Sequence, residues 1–346
     1  MQALILAGGK GTRLRPLTLY TPKPVVPVVN RPFLLYQIDI LRRAGVKDIT
    51  FSLSYQPDKI EDVLGNYSDL GVNLGFITEP NPLGTGGAYK FAADSIKETT
   101  IVLNGDILTD VDIAKMLASH REKKAEATIA LVPVEDPSAY GLVETDKKGR
   151  VLRFLEKPKP EVLATLTINT INAGVYILEP SILELIPANE NSSFEYNVFP
   201  AVLKKKKPFF AYDLGGSYWR DIGNPASYLA AHMDLLAGNL DHFGKEDSGP
   251  SDVATAAVID RASALGTGCV IKPGARVINS VLGPGVQLEE KAFVENSVVW
   301  AHARISTGAV VQGAVIGRGC FIGRNVVVTA GAVLGDKSTI PDYSRV

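Results

Sequence analysis

The chain has 346 residues, of which 46% are apolar and 21% charged, a profile that suits a globular protein with more than one core and makes two domains the natural division. Its formal net charge of −1 gives no electrostatic footprint for nucleic acid or an anionic membrane. No window reaches the 18 or so apolar residues a membrane helix needs, and the opening MQALILAGG lacks a charged leader or cleavage signature, so the expectation is a cytosolic protein without nucleic-acid or membrane partners.

Strand-like and helix-like segments alternate from the first residues. ALILA is an apolar run, PFLLYQIDILRRAG places Leu34, Ile38 and Leu41 on one helical face with Gly45 as a stop, and ITFSLS alternates with period two. Asp58 and Glu61 form a capping-box pattern before a short helix. Then come VNLGFIT, a Gly-rich turn, the helical GGAYKFAADSI, the buried-strand run TIVLN, the helix VDIAKMLASHREKK and the strand ATIALVPV. This order predicts an α/β fold, a Rossmann-like, mostly parallel sheet with helices on both faces, whose ligands bind at the carboxyl ends of the strands. Lys204 to Lys207 follow the helical FEYNVFPAVL and read as a solvated helix end, where cations complement the dipole.

Past residue 225 a helix, ASYLAAHMDLLAG, runs into the polar LDHFGKEDSGPSD, which reads as a linker. Beyond it aliphatic residues recur every six positions. Val258, Val270, Leu282, Leu288 and Val294 share one register; Val310, Ile316, Ile322, Val328, Leu334 and Ile340 share another; Gly follows at 283, 317, 323 and 335. The period predicts a parallel β-helix of about five coils with roughly eighteen residues each, and Ala264, Arg276 and Trp300 mark an irregular edge. The expected division is therefore 1–237, a linker 238–252, and a β-helix over 253–346. Cys269 and Cys320 have no metal-ligand spacing and imply no disulfide framework.

The strongest chemical signal is LAGGKGTRLRP, directly after the first strand. Gly8, Gly9 and Gly11 let backbone amides approach phosphates closely. Without GKS or GKT it is no Walker loop, and Leu14 stands where a dinucleotide fingerprint has its third glycine. Arg13, Arg15 and Lys23, the last stiffened by Pro22 and Pro24, supply the cations that a nucleoside triphosphate needs.

In order along the chain, GGKGTRLRPLT, TPKPVVPV, EPNPLGTGGA, NGD, YGLVE, FLEKP, NAGVYIL and WRDIGNP resemble the motifs of the sugar-1-phosphate nucleotidyltransferases, and the accompanying hexapeptide repeat is most similar to the mannose-1-phosphate guanylyltransferase branch. The resemblance covers essentially the whole chain. It implies a left-handed β-helix, a homo-oligomer assembled through it, and an enzyme that makes a GDP-sugar and pyrophosphate from GTP and a sugar 1-phosphate. Uridylyl or thymidylyl transfer to glucose 1-phosphate, or a non-catalytic regulatory subunit of the same layout, are the rival expectations.

Carried over residue by residue, the resemblance gives Leu6, Gly8, Gly9, Gly11, Thr12 and Arg13 to the triphosphate, with Lys23 near the reacting centre. Asp106 and Asp221 would hold Mg²⁺, which prefers one or two carboxylates with phosphates and water. Glu79 and Gly84 would face the base, with Glu79 accepting from a guanine edge. Tyr140, Gly141, Glu156, Lys157 and Asn172 would line the sugar-phosphate pocket, Lys157 on the phosphate and Glu156 on hydroxyls. Arg13, Lys23, Asp106, Lys157 and Asp221 form the catalytic set. All these motifs end by residue 225, so the chemistry is expected to be complete without the β-helix. Of the histidines, only His302, in WAHARI, is placed for the acyl transfer that some β-helices perform.

Overall fold

The computed structural model describes residues 1–67, 70–163, 165–166, 168–240 and 249–346. Contacts sort the chain into two compact units, Met1–Gly9 with Gln37–Trp219 and Lys10–Tyr36 with Arg220–Val346. This differs from the division drawn along the sequence, because the cation-bearing segment after Gly9 goes with the C-terminal part. Of the expected linker, residues 241–248 lie outside the described residues.

The first unit is built on a nine-stranded sheet. Gln2–Leu6 lies between Asp48–Leu53 and Thr100–Asn104, parallel to both, and Asn73–Thr78 extends the parallel edge. Thr170–Leu178 joins antiparallel to Thr100–Asn104 and Ala127–Pro133, so the sheet is mixed rather than purely parallel. Leu4, Val102, Tyr176 and Leu178 share one core with Tyr89, Phe194, Phe199 and Val202 of the helical segments. The alternate positions Ala3, Ile5, Ile101 and Leu103 are buried too, so both faces are covered. The parallel strands Gln2–Leu6 and Thr100–Asn104 end side by side, Leu6 opposite Asn104, which sets the residues after Leu6 and the NGD turn at the carboxyl ends of neighbouring interior strands.

The helix after the capping-box pattern begins at Pro57, with Gln56 as its cap in a left-handed conformation and no side-chain cap bond. Asp58 therefore lies inside the first turn, because proline pre-sets the first helical φ and takes that position. The helix Phe199–Lys204 ends as expected: Lys204, Lys205 and Lys206 are exposed, while Lys207 turns back to pair with Glu126. No helix among the described residues is long and apolar enough to cross a membrane.

The second unit carries three parallel sheets of six, five and five two- or three-residue strands, the sides of a β-helix. The coils are not uniform. Asp252 pairs with Val270, eighteen residues on; Val270 with Gln287, Gln287 with Arg304 and Arg304 with Phe321 are each seventeen apart; Phe321 with Thr339 is again eighteen. One side of each middle coil thus has five residues. The inward positions are Ile271, Val277, Leu282, Leu288, Val294, Val299, Ile305, Val311, Ile316, Ile322 and Val328, all in one core. Strict hexads therefore placed Val258, Val270 and Val310 inward wrongly. Ile259, Ile271 and Val311 point in instead, and the breaks at Arg276 and Trp300 are the register slipping by one.

At the shortened corner a serine replaces the missing residue's polar function. Ser280 N donates to Ser263 Oγ at 3.0 Å, Ser297 N to Ser280 Oγ at 3.1 Å, and Ala314 N to Ser297 Oγ at 3.1 Å, so buried amides stay satisfied. Both free cysteines, Cys269 and Cys320, are buried in this core. His302 sits at a corner in a left-handed conformation, and a Cβ on Gly285 of the preceding coil would meet its ring at 2.5 Å. That close approach explains the glycine at 285.

Candidate functional site

Within the first unit the strand Gln2–Leu6 leads into the glycines. Leu6 O accepts from Gly105 N at 2.9 Å, which ties the turn before Asp106 to the end of this strand. Gly8 O accepts from Ser54 Oγ at 2.6 Å, while a Cβ on Gly9 would meet nothing within 4 Å, so the chain beyond Gly8 presents open backbone. Gln37 Nε2 donates to Asn104 O at 2.8 Å and to Ile107 O at 3.0 Å, spanning the NGD turn from both sides. Asp106 is half-buried in that turn.

Glu79 is buried, and its carboxylate is engaged by the protein itself. Oε1 accepts from Ser52 Oγ at 2.8 Å and Oε2 from Leu83 N at 2.9 Å, so the side chain shapes the turn leading into the helix Gly84–Phe91. Gly84 opens that helix against the backbone of Ser192. Contact with a base would have to use the remaining lone pairs of Glu79.

The sugar-side candidates of the first unit come together more fully. Tyr140 O accepts from Lys157 N at 3.2 Å. Gly141 and Glu156 are opposite each other across an antiparallel pair, and a Cβ on Gly141 would lie 2.6 Å from Glu156 Oε2 and 2.8 Å from Phe154 Cζ. Only hydrogen fits between them, which explains the glycine after Tyr140. Lys157 Nζ lies 3.5 Å from Glu156 Oε1; its side chain is 60% exposed against 11% for Glu156. Lys157 also holds φ of +42°, an unusual backbone for lysine, directly after the strand ends at Glu156. Burial, then the charge of Glu195, push the Glu156 carboxyl above its ordinary value, against the pull of Lys157.

Asn172 lies at an irregularity where the pairing register shifts before Tyr176. Its Nδ2 donates to Tyr176 Oη at 2.8 Å and its Oδ1 accepts from Gly174 N at 2.9 Å. Such a bulge re-aims one side chain relative to the sheet. Two residues escaped the sequence reading. Glu195 acts electrostatically on both Glu156 and Tyr176, yet in FEYN it reads as a solvated helix residue. Trp219 sets its ring edge on Tyr140 at 5.7 Å and donates from Nε1 to Ala173 O at 2.8 Å, joining two pocket segments; its place beside a motif Asp was the available signal.

The second unit assembles the phosphate-loop candidates. Gly11 has φ of +61°, and a Cβ there would stand 2.9 Å from Lys23 Cβ and 3.2 Å from Thr18 Cγ2. The loop is thus packed directly on the Lys23 stem, and Thr18 Oγ1 locks it by donating to Gly11 O at 2.7 Å. Lys23 is 8% exposed, whereas Thr12 and Arg13, in the turn Thr12–Leu14, are exposed. Arg13 and Asp221 both border Gly223, where a Cβ would lie 2.7 Å from Asp221 Oδ1 and 3.1 Å from Arg13 Nη2.

A glycine-rich segment that follows the first parallel strand of an α/β sheet, in a chain that also carries a β-helix, is the layout that two family models match. The chain belongs to the nucleotidyl transferase family, whose model matches residues 2–238; a model of the EIF2B subunit epsilon LbH domain matches 248–346 and identifies the β-helix as left-handed. The chain is 36% identical to a mannose-1-phosphate guanylyltransferase of Mycobacterium tuberculosis, over 82% of this chain and 79% of that one. It is 40% identical to the mannose-1-phosphate guanylyltransferase catalytic subunit beta of Drosophila pseudoobscura pseudoobscura, over 78% and 72%. Among solved structures it is similar to HddC from Yersinia pseudotuberculosis, also determined in complex with GMP-PN. The first of these has a TM-score of 0.58 at 35% identity and covers 68% of this chain and 99% of that one. Members of this family typically use a divalent metal.

Proposed function

We propose that this chain transfers a guanylyl group from GTP to mannose 1-phosphate or a closely related hexose 1-phosphate, giving a GDP-sugar and pyrophosphate. The observation that supports the reading is the packing of the Gly11 loop on Lys23, with Arg13 and Asp221 bordering Gly223, an arrangement that would suit phosphates. The names of the relatives support guanine and mannose.

In this reading a phosphate oxygen of the sugar 1-phosphate attacks the α-phosphorus of GTP. The bond from that phosphorus to the bridging oxygen of the β-phosphate breaks, and pyrophosphate leaves with the electron pair. The attacking oxygen is already ionised, so no protein base or nucleophile is needed. Lys23 holds phosphate oxygens near the reacting centre, Gly9, Gly11 and Thr12 present backbone to the triphosphate, and Arg13 stabilises the charge that grows on pyrophosphate. Lys157 receives the sugar's phosphate. Glu156 accepts from sugar hydroxyls with Glu195 as a second acid nearby, and Tyr140, Gly141 and Asn172 shape the pocket wall. Glu79 and Gly84 form the base side.

Asp106 and Asp221 are the proposed carboxylates for Mg²⁺. Such an ion takes few protein ligands and completes its shell from phosphates and water. When bound, Mg²⁺ would screen phosphate charge. A cytosolic homo-oligomer joined through the β-helix belongs to the same proposal, and sedimentation of the purified protein checks its assembly.

The test is a matrix of GTP, UTP, dTTP and ATP against several sugar 1-phosphates, read by pyrophosphate release. GTP with mannose 1-phosphate should dominate. Dominance of UTP or dTTP with glucose 1-phosphate would transfer the assignment to those enzymes, and no release with any pair would leave a regulatory subunit.

A further inference from the structure

The second unit contains an arrangement that the reading above does not use. The strands Val281–Leu282, Val298–Val299 and Val333–Leu334 belong to one sheet of the β-helix, and residues at their ends reach the Lys10–Tyr36 segment directly at two levels and through Tyr228 at a third. At the first, Asn30 Nδ2 donates to Leu282 O at 2.9 Å. At the next, Trp300 Nε1 donates to Tyr228 Oη at 3.0 Å, and Tyr228 Oη donates onward to Pro27 O. At the last, a Cβ on Gly335 would stand 3.0 Å from Pro16 Cβ. The segment with Gly11, Arg13 and Lys23 therefore lies along a β-helix edge.

The middle contact has the most chemistry. Trp300 is 2% exposed and Tyr228 fully buried, so both polar bonds are shielded from water and their loss is not made good by solvent. Tyr228 belongs to the helix Pro225–Leu236, which grips the same segment a turn later, where Val29 N donates to His232 Nδ1 at 3.2 Å. Burial keeps that imidazole neutral, its pKa lowered to about 3, as an acceptor at Nδ1 requires. The helix start also holds the backbone of Asp221, whose carbonyl accepts from Ser227 Oγ. A second β-helix contact, Asn279 Nδ2 to Met233 Sδ at 3.4 Å, fixes the helix from its outer side.

We propose that Trp300 of the β-helix is a positioning residue for nucleotidyl transfer: through Tyr228 it holds the helix Pro225–Leu236 and the Pro22–Asn30 segment, and so fixes where Lys23 and Asp221 stand. The inference rests on the proposed function and adds to it that the β-helix completes the catalytic apparatus rather than serving assembly alone. Because Lys23 acts on the reacting phosphates, a loosened support weakens an interaction that matters most in the transition state, and the effect falls on kcat.

The test compares steady-state kinetics of wild type, Trp300→Phe, Tyr228→Phe and the double variant, with Phe321→Ala as a control on an exposed β-helix position. Trp300→Phe keeps an aromatic ring but removes the donor with part of the buried indole, whereas Tyr228→Phe removes only the hydroxyl of the same relay and separates the lost bonds from lost packing. The expected result is a fall in kcat of about fivefold with KM for both substrates within about twofold, and no additivity in the double variant, since both changes break one relay. In a Lys23→Ala background the Trp300→Phe change should lower kcat no further. Gly335→Ala reaches the same segment from its far end and should raise KM for the nucleotide, whether or not Trp300→Phe folds well. Wild-type kcat in Trp300→Phe and wild-type KM in Gly335→Ala would overturn the inference, as would an equal loss of kcat in the Lys23→Ala background. An inactive wild type would instead remove the proposed function, so the two failures are distinct.

Discussion

The two units hold the lysines of the proposed function in opposite ways. In the second unit Lys23 is buried, 8% exposed, with the Gly11 backbone packed on its stem. In the first unit Lys157 is 60% exposed, and the neighbouring carboxylate, Glu156, is the shielded group at 11%. A cation held by packing has lost its conformational freedom before substrate arrives, whereas an exposed one must be ordered by the ligand it binds. The difference predicts which residue acts in the transition state and which in ground-state binding.

The sharpest way to break this comparison is to remove both cations in turn. Lys23→Ala should lower kcat about a hundredfold or more, the usual scale for deleting one preorganised donor at developing charge, with a smaller change in KM. Lys157→Ala should instead raise KM for sugar 1-phosphate about tenfold and leave the nucleotide KM near wild type, because its contact is charge-assisted yet solvent-screened. Steady-state kinetics with each substrate varied decides it. Equal kcat losses in both variants would mean that exposure does not separate the roles.

A third substitution sharpens the sugar side. Gly141→Ala would place a methyl 2.6 Å from Glu156 Oε2 and 2.8 Å from Phe154 Cζ. Glu156 Oε2 ends a flexible side chain that can swing away, but Phe154 is a buried ring packed on Phe199, so the expected cost is about 1–3 kcal/mol of stability, the usual range for overpacking, together with a raised sugar-phosphate KM. Unchanged denaturant midpoint and kinetics would show that Glu156 is not wedged against the strand.

Legibility differed between these regions for physical reasons. The glycine loop, the NGD turn and the parallel strands stand out in sequence because backbone approach and strand burial leave local signatures. The β-helix was visible through its hexads, but its register was misread: Val310 carries the period while Val311 points inward, because five-residue sides shift the frame. Ser280 and Ser297, which look like loop polarity, mark those short sides. Electrostatic partners were invisible, since Glu195 is distant in sequence from Glu156. The packing of Lys10–Tyr36 with the C-terminal residues was equally hidden, because its contacts, such as Trp300 to Tyr228, join motifs separated by long stretches of chain.

The smallest expected effect concerns Glu156 and acts on stability through pH. Burial first and the Glu195 charge second disfavour its carboxylate, and they outweigh Lys157, so the folded-state pKa lies above the ordinary value of 4.5. The folded protein therefore binds this proton more tightly than the unfolded chain does. Its stability rises as pH falls through the raised value and gains nothing further below 4.5, so at pH 8 the fold bears the full cost of an ionised Glu156. Glu156→Gln removes that charge at nearly constant shape. The variant should melt about 1–2 °C higher than wild type at pH 8, with the difference shrinking towards pH 4, while its KM for sugar 1-phosphate rises because a neutral amide is a weaker acceptor for hydroxyls. Calorimetry at the two pH values reads the first part and kinetics the second. A Glu156→Gln protein less stable than wild type at pH 8 would mean that Lys157, exposed as it is, stabilises the carboxylate more than burial disfavours it, and the contrast between the two lysines would lose its electrostatic basis.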